Sequence, residues 1–335
     1  MVAQSFRLSY LEREHSLGRS GPGGDQITKL NQISVANPVE VQAGLASNGY
    51  LADEGVSTAV FLAIVLQRPL FLEGDAGVGK TELAKAISRW TGGELLRLQC
   101  YEGIDVGQAL YEWDYTRQLL HLRTAEARSV TGGGKVGPEI EEELYSERFL
   151  IRRPLLSAIA PVGESRVPPV LLIDEIDRAD DEFEAFLLEV LSDYSVTIPE
   201  LGTYRAVVPP IVVMTSNRTR DVHDALKRRC LYHWVDHPDF EREVRIVLMK
   251  TEGVGEPLAR QVAGAVEYLR QLGLYKPPGV AETIDWAQAI AALQKTSLDE
   301  HTVEVTLGSV LKYREDAMRV MNGGVGELLR QALAR

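Results

Sequence analysis

The segment GDAGVGKT, Gly74 to Thr81, constrains the fold more than any other stretch of the chain. It follows a short apolar strand candidate, Pro69 to Glu73. It precedes Thr81 to Trp90, where Leu83, Ala84, Ile87 and Trp90 recur at three- and four-residue intervals and share one helical face. A strand, a glycine-rich turn and a helix in that order make a cradle for phosphate. The glycines let successive backbone N–H groups turn inward, and the helix N-terminus adds the positive end of its dipole. In this P-loop pattern a lysine, here Lys80, extends to the β- and γ-phosphates, and a hydroxyl, here Thr81, can ligate Mg²⁺. Gly74, Asp75, Ala76, Gly77, Val78, Gly79, Lys80, Thr81 and Glu82 are therefore the expected nucleotide-binding residues. The plainer alternative is a glycine-rich turn before an ordinary helix, and the flanking strand and helix count against it.

Three later stretches supply what such a cradle lacks. PVLLIDEID, Pro169 to Asp177, is an apolar strand that ends in Asp174 and Glu175. In a doubly wound sheet that end faces the ligand crevice, where Asp174 can hold Mg²⁺ and Glu175 can polarise an attacking water. Alone, two acids after a buried strand are as readily a solvated strand end. MTSN, Met214 to Asn217, repeats the design with an asparagine that could orient the water or contact the γ-phosphate, although asparagine also suits an ordinary turn. ALKRRC, Ala225 to Cys230, places Arg228 and Arg229 at a helix end. Their guanidinium forks suit phosphate, which makes both candidates for an arginine finger toward a neighbouring subunit. A basic helix end that complements the macrodipole is the competing reading.

Further apolar strands at Leu95–Leu98, Ile211–Met214 and Leu231–Val235, with helices between most of them, predict a parallel sheet covered on both faces. One covering helix carries Phe183, Phe186, Leu187, Val190, Leu191 and Tyr194 as its apolar stripe, beside Glu184 and Glu189. Beyond Asp236 helical stripes take over: Phe240 to Leu248, Leu258 to Leu272, and Trp286 to Leu293. The expected division is a flexible lead-in over 1–37, an α/β nucleotide-binding domain over 38–235 and a smaller all-α domain over 236–335. Gly132 to Glu147, glycine-rich and then acidic, is expected to be a mobile loop.

Composition sets outer limits. A net charge of −12 disfavours a general nucleic-acid surface, which needs clustered Lys and Arg. The two cysteines, Cys100 and Cys230, suit reduced thiols in or near the core. His233 and His237 stand four apart, but Pro238 argues against a shared helical face, so no site for a metal held by histidine or cysteine is expected. The longest apolar run, Val56 to Leu72, is broken by Gln67, Arg68 and Pro69, too short to span a bilayer. The expected location is the cytoplasm, with peripheral attachment at the inner face of a membrane left open.

The order of these motifs resembles the AAA+ ATPases, over about residues 38 to 335. GDAGVGKTELAK, LLIDEIDRAD, VTIPELGTYRAVVPP and VMTSNRTR are similar to the MoxR branch. LQCYEGID, YEWDYTRQLLHLR, FLIRRPLL and ALKRRCLYHW resemble its CoxD-like group, associated with maturation of molybdenum-containing CO dehydrogenase and related hydroxylases. The resemblance implies a P-loop NTPase three-layer sandwich followed by an all-α lid, and a Mg²⁺-dependent ATPase assembled as a hexameric ring. It also implies remodelling of a client metalloenzyme and a von Willebrand factor A domain partner. A helix-2 insert falls at about 105–123 and a pre-sensor hairpin at about 196–208, which makes Tyr111, Trp113 and Tyr115 candidates for client contact. Alternate aromatics in a strand are also common packing residues. Ala281 and Glu282 stand where relatives carry a sensor-2 arginine, a departure that implies weaker coupling of the lid to the γ-phosphate. Two other functions stay open: a nucleotide-gated oligomeric binding module with little hydrolysis, and a DNA-remodelling motor. A GTPase is disfavoured, because no NKxD base-reading motif is present.

Overall fold

A computed structural model describes residues 35–130, 142–161 and 167–334. Residues 1–34 of the expected lead-in and 132–141 of the expected loop lie outside the described residues. Nine strands are assigned among those described: β1 (Leu70–Glu73), β2 (Leu95–Gln99), β3 (Tyr111–Trp113), β4 (Leu150–Arg152), β5 (Val170–Asp174), β6 (Ser195–Ile198), β7 (Gly202–Arg205), β8 (Ile211–Ser216) and β9 (Leu231–Trp234). Five of them form one sheet in the order β2-β5-β8-β1-β9, with every neighbouring pair parallel.

The central strands are apolar at every position because both faces are covered. Along β1, β5 and β8, Leu70, Leu72, Val170, Leu172, Ile211 and Val213 point to one face. They meet Val41, Leu45, Val60, Leu83 and Ile87 from the helices Pro38–Ser47, Glu54–Leu66 and Lys80–Thr91. The alternate residues Phe71, Leu171, Ile173, Val212 and Met214 point to the other face and meet Leu155, Ile159, Phe183 and Leu187 from the helices Pro154–Ile159 and Asp181–Asp193. The period of two within each strand therefore sorts one continuous apolar run into two cores. This is the three-layer P-loop sandwich.

Two short antiparallel pairs stand outside the sheet. β6 pairs with β7 where the pre-sensor hairpin is expected. β3 pairs with β4, and the segment around it is more built than an insert of alternating aromatics suggests. Asp105 starts the short helix Val106–Ala109 with a capping box, Trp113 ends β3, and Tyr115 opens a helix that runs to Val130. Trp113 is buried, with its ring edge-on to Tyr111 and Tyr145, so it packs the fold and is not available to a client. Tyr115 is exposed. The end of the expected mobile loop is also ordered: residues 142–144 are helical, and Gln118 Nε2 donates to Leu144 O at 2.6 Å.

From Phe240 onward the described residues are helical. The three expected stripes become Phe240–Lys250, Glu256–Gln271 and Val280–Ala292, and three further helices follow, Glu300–Val310, Arg314–Gly323 and Val325–Leu333. Their core gathers around the fully buried Trp286, whose indole N–H donates to Thr306 Oγ1 at 2.8 Å. Two acids, Glu243 and Asp316, are buried in this unit. Glu243 accepts from Arg270 Nη1 and Nη2 and from Thr283 Oγ1, each at 2.7 Å. Glu184, beside the apolar stripe of its helix, is likewise buried, where it pairs with Arg220 and accepts the His223 N–H at 2.7 Å. Glu243 and Glu184 sit at positions that periodicity alone leaves outside, and a dedicated arginine compensates each.

No helix among the described residues is long and apolar enough to cross a membrane. Both cysteines are free and buried, and desolvation pushes each thiol up to about 12.

Replacing Glu243 by alanine strands a largely buried guanidinium and the Thr283 hydroxyl. Urea unfolding followed by far-ultraviolet circular dichroism should show a loss of about 3–5 kcal/mol in the transition that reports the C-terminal helices.

Candidate nucleotide site

The loop from Gly74 to Gly79 joins the end of β1 to the helix Lys80–Thr91. Gly77 and Gly79 have positive φ, 81° and 100°. Gly79 is the N-cap and carries no side chain to satisfy the first N–H groups of the helix, which leaves them for an anion. Gly74 is required for a different reason. A Cβ there would lie 2.3 Å from Val235 O, because the chain leaving β9 crosses directly over the loop.

Lys80 is buried, and its Nζ donates to Gly74 O and Asp75 O, both at 2.7 Å. Desolvation lowers its pKa, opposed by the carboxylates of Asp177, Asp75, Asp174 and Glu175. The ammonium is thus folded back on the mouth of its own loop, among acids that keep it charged. Thr81 Oγ1 lies 3.0 Å from Asp174 Oδ1, although 93 positions separate them. The same oxygen accepts from Thr215 Oγ1 at 2.6 Å. Arg97 on β2 takes the other oxygen, with Nη2 and Nε at 2.6 and 3.1 Å from Asp174 Oδ2.

Glu175 follows β5 in the left-handed region, φ 56°, a conformation non-glycine residues seldom adopt. Three groups hold its carboxylate: Asn217 Nδ2 at 3.3 Å, Gln99 Nε2 at 3.2 Å and Arg178 Nε at 3.0 Å. Lys80, Thr81, Glu82, Asp174, Glu175, Thr215 and Asn217 line one cleft of about 290 Å³ with Ala76, Gly77 and Gly79. The Glu82 carboxylate engages Arg89 at 2.9 Å and Lys250 at 3.0 Å, so it ties the loop helix to the C-terminal helices. Arg228 and Arg229 do not line this cleft. They end the helix Asp224–Arg229, where Arg68 donates to both their carbonyls and Arg229 Nη1 donates to Leu188 O at 3.2 Å.

Beside the cleft is a more apolar cavity of about 260 Å³. Tyr50 and Leu51 wall it from the N-terminal side, Gly77 and Val78 from the loop, and Ile246, Met249 and Ile284 from the C-terminal helices. Burial, with Asp53 nearby, raises the Tyr50 hydroxyl well above its ordinary pKa. Residues from widely separated stretches of chain meet here, and apart from the loop none of those stretches carries a motif, so the sequence reading missed it. Arg97 and Gln99 were missed too. Their signal is two polar positions at spacing two in the otherwise apolar LLRLQ, next to the acid-ended strand.

The C-terminal helices close on the loop directly. Val280 N donates to Gly77 O at 3.0 Å, and Glu282 caps the same helix start through the Gly279 N–H at 3.0 Å. His237 adds a titratable contact, with Nε2 3.4 Å from Asp75 Oδ2 and a buried, unpartnered Nδ1.

The paired hydroxyl and carboxylate at Thr81 and Asp174 are hard oxygen donors of the kind Mg²⁺ takes, with phosphate oxygens and water completing the shell. Among the described residues no group of three or more His, Cys, Asp or Glu could hold a metal by itself.

Geometry and sequence lead to one class. Residues 69–230 match the AAA domain (dynein-related subfamily), and that span contains the loop, both acids, Asn217 and the two arginines. Over residues 69–230 the chain thus matches an AAA domain, on a P-loop sandwich followed by helices. Among solved structures it is similar to RuvB of Thermotoga maritima, at 15% identity and a TM-score of 0.42 over 79% of this chain and 68% of that one. RuvB is described as a Holliday junction branch migration motor. The chain is also similar to a candidate ATPase of Cytophaga hutchinsonii, at 13% identity and a TM-score of 0.43 over 88% of this chain and 94% of that one. No curated protein matches the chain.

The His237 contact generates a pH dependence. Burial, aided by the Arg270 guanidinium and opposed by Asp75 and Glu243, holds its imidazole below the ordinary 6.5. The folded chain then binds fewer protons than the unfolded chain, so stability falls as pH drops through the unfolded value and levels off below the folded one. Urea midpoints measured from about pH 7 down to about pH 5 should decline in the native protein, and His237→Asn should flatten that decline.

Proposed function

We propose that this protein binds and hydrolyses ATP with Mg²⁺ and uses the cycle to remodel a client protein. The observation that carries the nucleotide part is the convergence of Lys80, Thr81, Asp174, Glu175 and Asn217 on one cleft beside an apolar cavity suited to a base. The triphosphate lies on the N–H groups of Gly77 to Thr81. Lys80 leaves the carbonyls of Gly74 and Asp75 for the β- and γ-oxygens. Thr81 and Asp174 would hold a magnesium ion, which when bound would supply positive charge against that developing on the phosphates. Glu175 accepts the proton of an attacking water that Asn217 orients.

The client side rests on the MoxR and CoxD-like resemblance of the sequence. In that reading the protein is a chaperone in the assembly of a molybdenum hydroxylase such as CO dehydrogenase. It works as a hexameric ring, with residues 236–335 as the lid, the hairpin at 196–208 and the insert at 105–123 facing the pore, and a von Willebrand factor A protein as partner. Both arginines are exposed, but Arg229 donates to Leu188 O, which favours Arg228 as the finger toward a neighbouring subunit.

A second reading, a nucleotide-gated module that hydrolyses little, draws on the three donors that engage the Glu175 carboxylate and on Ala281 and Glu282 at the lid helix start. A DNA motor has no comparable support, since the net charge is −12.

Variants of the purified protein separate these readings. Lys80→Ala should abolish binding of a fluorescent ATP analogue. Glu175→Gln should keep binding but lower phosphate release by about 10²- to 10⁴-fold. Nucleotide binding with negligible phosphate release in the native protein would leave only the gated-module reading, and brisk turnover insensitive to Glu175→Gln would remove Glu175 as the base.

A further inference from the structure

Asp174 is occupied on both oxygens before any nucleotide is considered. Thr81 and Thr215 donate to Oδ1, and Arg97 donates twice to Oδ2. The carboxylate is 3% exposed, so water does little to balance its charge, and the guanidinium does so instead. Arg97 belongs to β2, the edge strand of the sheet, and its side chain is half exposed. Its Nη2 also lies 2.5 Å from Gln99 Oε1, and Gln99 Nε2 continues to Glu175. Positions 97 and 99 share one face of the strand because side chains alternate, so one edge strand holds both acids at once.

We propose that Arg97 is a positioning residue that raises the magnesium concentration at which the nucleotide complex assembles, by holding Asp174 as its counter-cation. The inference rests on the reading of the cleft as a Mg²⁺–ATP site. A guanidinium and a divalent cation on one carboxylate repel each other and compete for its lone pairs, so magnesium entry displaces or weakens the Arg97 contact. The outer part of the side chain has somewhere to go. It borders a second cleft lined by Tyr101, Gln108, Glu112 and Arg153, where Glu112 accepts from Arg153 Nη2 at 2.7 Å. Arg97 makes no bond to substrate in this account. It acts through Asp174.

The test uses the full chain and a fluorescent ATP analogue at fixed concentration, titrated with Mg²⁺, with direct Mn²⁺ binding by electron paramagnetic resonance as a second readout. Arg97→Gln should lower the half-saturating Mg²⁺ concentration about three- to fivefold, a modest effect because the pair is partly screened by solvent. Arg97→Lys keeps the charge but not the two-point contact, and should shift the same way by less. A purely structural role predicts loss of nucleotide affinity with no change, or a rise, in half-saturating Mg²⁺, and either result overturns the proposal. If Arg97→Gln fails to fold, Arg97→Lys decides on the same sign. If the native protein binds the analogue but Mg²⁺ has no effect on it, the reading of the cleft fails first, and the proposal fails with it.

Discussion

Four strands set the geometry of the cleft through their parallel register. Glu73 of β1 is level with Ser216 of β8, and Gln99 of β2 is level with Asp174 of β5. Helices seal both faces, so polar side chains gather at the carboxyl edge, where the loop after β1 also turns. The convergence of Thr81, Asp174 and Thr215 is a consequence of strand pairing. Changing the order of the sheet would scatter them even if every motif were kept.

Buried charge is concentrated at and behind that edge. Asp174, Asp177, Glu184 and Lys80 are all buried, and each has specific partners. Burial strengthens every one of these interactions and makes each partner costly to lose. The same economy links the helical domain to the loop. Arg242 meets Asp53 at 2.7 Å, Lys250 meets Glu82 at 3.0 Å, and the Val280 N–H meets Gly77 O. These contacts ring the apolar cavity, so a base entering it touches both parts of the protein.

What could be read in the sequence was whatever has a local signature. The loop, the acid-ended strand and the asparagine-ended strand each carry their chemistry within a few residues, and the apolar runs of β1, β5 and β8 declare their double burial. Arg97 and Gln99 have no such signature, because their partners are known only once β2 is placed beside β5. Glu184 and Glu243 look like solvent-facing positions on amphipathic helices until Arg220 and Arg270 arrive from elsewhere in the chain. Trp113 reads as a presented aromatic until Tyr145 covers it. Long-range pairing, invisible to periodicity, accounts for all of these differences.

The central claim is that the P-loop cradle holds a triphosphate with Lys80 and the Thr81–Asp174 pair at its reactive end. A crystal structure of the protein grown with Mg²⁺ and a non-hydrolysable ATP analogue tests it most directly. The account predicts the γ-phosphate against Lys80 Nζ, which has left Gly74 O and Asp75 O, with the base in the cavity beside Tyr50. A nucleotide bound elsewhere, or a lysine still seated on those two carbonyls with the cradle filled, would contradict it.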